Sequence, residues 1–132
     1  MICELRAPAA SGRLGMCIGS GPTEADAVLA VRQARSAIEL GYQVHVFLFG
    51  NGIYHALPSD TVKSNFFGFQ QLMQDGAQVT VCSNMARAQG VTPEAARTGV
   101  RFGSLLEFSE LITDCEKVLV FGLAAMGLNL LL

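Results

Sequence analysis

The chain has no tryptophan, two tyrosines and two histidines, and only 15% of its 132 residues are charged. Each scarcity excludes something. His45 and His55 stand alone, and Cys3, Cys17, Cys82 and Cys115 are far apart with no CxxC pair, so no metal site is expected. The nine lysines and arginines are scattered singly from Arg6 to Lys117. Without a basic cluster, direct binding to nucleic acid is not expected. No apolar run reaches the ~20 residues of a membrane-spanning helix. The greasiest stretch, Leu119 to Leu132, is broken by Gly122 and Gly127. The start of the chain lacks a basic region followed by an apolar core, the mark of a secretory signal. Reduced thiols in a cytoplasmic protein are therefore expected.

What is present is greasy. Hydrophobic residues make up 51% of the chain, mostly aliphatics and phenylalanine, and the net charge is −2. The length suits one domain, and apolar surface beyond the needs of one core suggests burial between subunits.

Residues 1–12 show no period and read as a loose leader before a domain spanning 13–132. Leu14–Ile18 is the first expected strand, and Gly19-Ser20-Gly21-Pro22 a turn. Thr23 is an N-cap candidate for a helix to Leu40, with Val28, Val31, Ala34 and Ile38 on the buried face. Gly41 closes it. Tyr42–Phe49 reads as a strand buried on both faces. Ile53 to Leu57 is an apolar loop or short helix. A helix over about Asn65–Gln74 precedes a strand, Gln78 to Val81, that ends at Cys82. Met85–Gln89 is a short helix, and Thr92-Pro93-Glu94 has the form of another helix entry. Ser104–Ile112 is a helix with Leu105, Phe108, Leu111 and Ile112 on one face, and Lys117–Phe121 is the last strand. The order predicts an α/β fold: a single domain, mainly parallel sheet, helices on both faces in a flavodoxin-like layering.

Cys82 carries the chemistry in this pattern. It stands at the carboxyl end of a strand just before a helix start, where the helix dipole favours thiolate and where open α/β sheets bind ligands. Position alone leaves a second reading open, a buried small hydrophobe. Ser83 and Asn84 are candidate caps that orient amides toward the sulfur. Arg87 is either a source of positive potential or a solvated helix residue. Tyr54 and His55 follow the neighbouring strand and are candidates for the same edge, His55 having a loop position in water as its alternative. Cys17 reads as core, Cys115 as structural and Cys3 as part of the leader. The Gly19–Pro22 turn lacks the third glycine of a dinucleotide fingerprint, that place being Glu24, and the lysine of a P-loop. No cofactor is implied.

Four segments together resemble the DsrE/TusD group of small sulfur-carrier proteins. They are the strand–Gly-Ser-Gly-Pro–helix unit ending in Gly41, and Val44 to Phe49 followed by Gly52-Ile53-Tyr54-His55-Ala56. The others are Val81-Cys82 followed by Ala86-Arg87-Ala88-Gln89-Gly90-Val91, and Gly103-Ser104-Leu105 with Asp114 to Phe121. The resemblance covers roughly residues 13–122; the leader and the tail after Gly122 depart from it. It implies a persulfide carrier in which Cys82 accepts a sulfane sulfur and passes it to a partner thiol. It further implies other sulfur-relay proteins as donor and acceptor, and a homotrimer or hexamer with or without paralogous subunits. The rivals are a non-catalytic assembly subunit, a small-molecule-binding module using the Gly19–Pro22 turn, and a redox sensor with a resolving cysteine near Cys82.

Overall fold

The computed structural model describes residues 12–58 and 68–122. The leader, Cys3, the first turns of the helix expected from Asn65, and the apolar tail lie outside the described residues.

Five parallel strands form one sheet in the order β4-β3-β2-β1-β5. They are β1 Arg13–Ile18, β2 Gln43–Leu48, β3 Gln78–Cys82, β4 Arg101–Gly103 and β5 Lys117–Phe121. The helices are α1 Ala25–Glu39, α2 Gly68–Gln74, α3 Ser83–Ala88 and α4 Leu105–Asp114, with a 3-10 segment at Gly50–Ala56. The chain steps one way from β1 to β4, then returns over the whole sheet to β5. Right-handed crossovers put the outward connections on one face and the return on the other. Packing follows that rule. Leu14, Met16, Ile18, Val44, Val46, Leu48, Val79 and Val81 point into a core shared with α1, α2 and α3. Cys17, Phe47, Phe49 and Cys82 point the opposite way, toward Phe108 and Ile112 of α4.

The buried stripe of α1 is Ala27, Ala30, Val31, Ala34 and Ala37. Small side chains let this helix lie close on the sheet, so the stripe sits one position away from the expected Val28, which is 38% exposed. The N-cap is Glu24 rather than Thr23, and the Gly21 amide donates to its carboxylate at 2.8 Å. Gly41, at φ 98°, takes the left-handed conformation that ends the helix.

Two expectations fail between residues 92 and 103. The Ala95 amide does bond the Thr92 hydroxyl at 3.3 Å, but no helix follows the entry. The Arg97 amide is instead drawn to the Ala56 carbonyl at 2.7 Å, and Gly99 has φ 96°. The chain then forms β4, a strand too short to show a period, with Thr80, Val81 and Cys82 opposite Arg101, Phe102 and Gly103. On α4 the Ser104 and Glu107 capping box closes as its spacing requires. Leu105, however, is 62% exposed instead of facing the sheet.

Gly52 is needed because a Cβ there would run into the Ile18 backbone carbonyl. No side-chain rotation relieves a backbone clash. Gly52→Ala is expected to lower unfolding free energy by about 2–4 kcal/mol, read from urea melts, with Gly21→Ala costing much less.

Candidate functional site

Cys82 is both the last residue of β3 and the N-cap of α3, with φ −69° and ψ 114°. The helix therefore begins at Ser83, two residues before the expected start. Ser83 and Asn84 lie inside its first turn rather than at the cap, and the Cys82 side chain makes no capping bond. The thiol lies on the α4 face. It packs with Cys17, Phe47 and Phe49, and Met85, Phe108, Ile112 and Val118 close around that group. Phe47 and Phe108 stack with centroids 3.9 Å apart, fixing α4 over the patch. Cys82 is only 4% exposed. Alternation along β2 holds the signal for this apolar surround, since Phe47 and Phe49 share a parity, but linking it to Cys82 needs the strand register.

The cover has its own anchors. The Gly50 amide lies 3.3 Å from the Met85 Sδ, and the Gln89 amide donates to the Gly50 carbonyl at 3.1 Å. These contacts tie α3 to the 3-10 segment. Arg97 ties the other end of that segment: its Nε donates to the His55 carbonyl at 2.8 Å, and one terminal nitrogen to Gln70 at 2.7 Å. Nothing in the local sequence marks Arg97 for this role.

His55 does not reach the thiol. Its Nε2 lies 2.9 Å from the Ser20 carbonyl and its ring stacks on Phe69 with centroids 5.0 Å apart, in the core of the opposite face. It is 2% exposed, so the solvated-loop reading fails too. Burial pushes its pKa down to about 4, the Ser20 bond opposing and Arg97 reinforcing the shift. Tyr54 is half-buried against the same core, and Arg87 is exposed.

Cys17 and Cys115 are the other described thiols. Burial, aided by the nearby Cys115, pushes the Cys17 pKa up to about 11, so this thiol stays protonated at neutral pH. Cys17 and Cys82 are two strands apart, about 10 Å, with a further offset of two residues along the strand. A disulfide needs Cα atoms within about 7 Å, so Cys17 is no resolving partner in this arrangement. Cys17, Cys82 and Cys115 are all free. Among the described residues no group of three or more histidine, cysteine or acidic side chains is arranged to hold a metal ion.

The strand order reverses between β1 and β5, the usual ligand crevice of such folds. Among the described residues that crevice is closed. The Gly19 amide bonds the Phe121 carbonyl at 2.8 Å, and a Cβ on Gly19 would lie 2.5 Å from the Phe49 ring. The Gly21 amide is taken by the Glu24 carboxylate, which puts negative charge where a phosphate would sit. The Gly19–Pro22 turn therefore offers a nucleotide no seat among the described residues.

The profile of the DsrE/DsrF-like family matches residues 13–121, and the chain belongs to that family. An uncharacterized protein of Methanopyrus kandleri is 24% identical over 98 residues, 72% of this chain and 81% of the relative. Two solved structures share the fold. The ychN protein from E. coli matches with a TM-score of 0.70 and 18% identity, over 84% of this chain and 99% of its own. MTH1491 from Methanobacterium thermoautotrophicum, a protein of unknown function, matches with a TM-score of 0.69 and 20% identity, over 83% and 99%. Among the described residues no helix is long and apolar enough to cross a membrane.

His55 supplies a pH test. Its folded pKa lies below the ordinary value of 6.5, so its contribution is complete above pH 6.5. It is lost as pH falls toward 4, where the unfolded chain binds the extra proton. The unfolding free energy read from urea melts should fall across that window by an amount of order 2–3 kcal/mol, and His55→Gln should flatten the slope.

Proposed function

We propose that this DsrE/DsrF-like protein works in sulfur relay, with Cys82 as the residue that carries the sulfur. The observation that supports this most is the position of Cys82. It is the last residue of β3 and the N-cap of α3, at the carboxyl edge of a parallel sheet and inside the span the family profile matches. The chemistry needs no metal and no second cysteine. The Cys82 thiolate attacks the terminal sulfur of a donor persulfide. A new S–S bond forms at Cys82, the donor S–S bond breaks, and the donor leaves as a thiolate. An acceptor thiolate then attacks the outer sulfur of Cys82–S–SH and regenerates the Cys82 thiolate. Each step exchanges one S–S bond for another, so no outside oxidant or reductant is required.

Burial sets a condition on this cycle. At 4% exposure the sulfur has to be uncovered before it meets a donor. Met85 is the natural flap: it is three residues along α3, partly buried, and long and flexible enough to swing. Donor and acceptor are other sulfur-relay proteins of a cytoplasmic system, whose arrival displaces that flap. The protein works as a homo-oligomer, a trimer or hexamer, with or without paralogous subunits. Exposed Leu105, Leu106 and Val120 supply apolar surface for such contacts.

The same burial favours a second reading, a non-catalytic subunit that uses this apolar surface to assemble with active relatives. Intact mass after incubation with a persulfide donor separates the two. The carrier reading expects a reducible gain of one sulfur atom in the wild type and none in Cys82→Ser. An equal gain in both, or none in either, removes Cys82 from the chemistry and leaves the assembly reading.

A further inference from the structure

We propose that a cavity under the amino-terminal ends of β1, β2 and β3 binds a small anion, a carboxylate or an inorganic oxyanion, between Arg13 and His45. The cavity measures about 360 Å³ and lies at the far end of the strands from Cys82. Arg13, Gln43, His45, Asp75 and Gln78 supply its polar lining, with Tyr42 among its apolar neighbours. The His45 Nε2 is buried and has no hydrogen-bond partner. Such an atom is rare in a folded protein and calls for a water or an ion that satisfies it.

The charges around His45 decide the sign of that ion. Arg13 on β1 and Arg101 on β4 both oppose its protonation, adding to the larger effect of burial, while hydrogen bonding of the ring with the Gln78 side chain on β3, which leaves Nε2 without a partner of good geometry, favours it. The field at the ring is therefore positive. From α4, Asp114 meets Arg13 only at 3.9 Å, with both side chains about half exposed or more, so this pair neutralises little. Cys115 shares with His45 a smaller cavity on the side of Phe108 and Ile112. Asp75 is the acid lining the site, and the Gln71 amide bonds its carboxylate at 2.9 Å. Arg101 lies outside the cavity and meets Glu107 at 3.8 Å, so a cation in the site would face the Arg13 guanidinium. An anion accepts a hydrogen bond from the Nε2–H of the neutral imidazole and pairs with Arg13, which satisfies the orphaned nitrogen and offsets the positive field together.

The test follows the histidine ring resonances by NMR in the full chain, during titration with sodium acetate and, separately, sodium phosphate at fixed ionic strength. His45 is expected to shift saturably while His55, in the opposite core, stays still. Arg13→Gln should weaken binding by about ten-fold or more, the scale of a lost charge-assisted contact, and Arg101→Gln by less. Arg13 is about half exposed at the sheet end, outside the core, so its replacement leaves the core intact, and the unchanged His55 signal reports that. A response to acetate alone assigns a carboxylate ligand, to phosphate alone an oxyanion, and to both the shared chemistry. No saturable shift of His45 with either salt up to ~50 mM overturns the proposal. So does wild-type binding in Arg13→Gln, or equal loss in both arginine variants.

Discussion

β4 and β5 lie on opposite edges of one sheet, and a single ten-residue helix joins them. Four inter-strand gaps amount to about 19 Å and ten helical residues to about 15 Å, so α4 is laid across the sheet as a strap. Handedness sends it to the face that α1, α2 and α3 leave open. That one crossing makes the two faces unequal. One carries a dense aliphatic core. The other carries Cys17, Phe47, Phe49 and Cys82 beneath Phe108 and Ile112, with Leu105 and Leu106 left on the outside.

The inequality sorts the thiols. Cys17 sits in mid-strand under the strap, where burial holds it protonated. Cys82 belongs to the same apolar group but ends its strand, next to a short helix whose Met85 is held by one sulfur contact to Gly50. Both thiols are equally buried, at 4% exposure, so on the proposed carrier reading it is displacement of the Met85 side chain that would set Cys82 apart. His55 plays no part in it, being bonded to Ser20 on the other face.

Much of this fold was legible in the sequence. The strand–turn–helix unit from Leu14 to Gly41, the valine-rich β2 and the helix from Ser104 all announce themselves through period or cap chemistry. β4 did not, because three residues carry no period and its pairing with Thr80 to Cys82 is a long-range fact. The false helix entry at Thr92 shows a local signal overruled by a contact: the cap bond forms, yet Arg97 is pulled to Ala56 instead of continuing the turn. The alanine stripe of α1 hid behind the larger Val28, since hydrophobicity alone does not say which small residues a close sheet needs. At the site, the place of Cys82 was readable from its strand end. The direction of His55 was not, because adjacent sequence motifs fall on opposite faces of one sheet.

The proposed carrier role requires Cys82 to reach solvent while Cys17, at the same 4% exposure, does not. Native-state alkylation with peptide mapping measures this directly, cysteine by cysteine, under conditions where the protein stays folded. Modification of Cys82 at least about ten-fold faster than of Cys17 is the predicted result. Equal, slow rates at both positions would contradict it, leaving Cys82 a core residue like its neighbour.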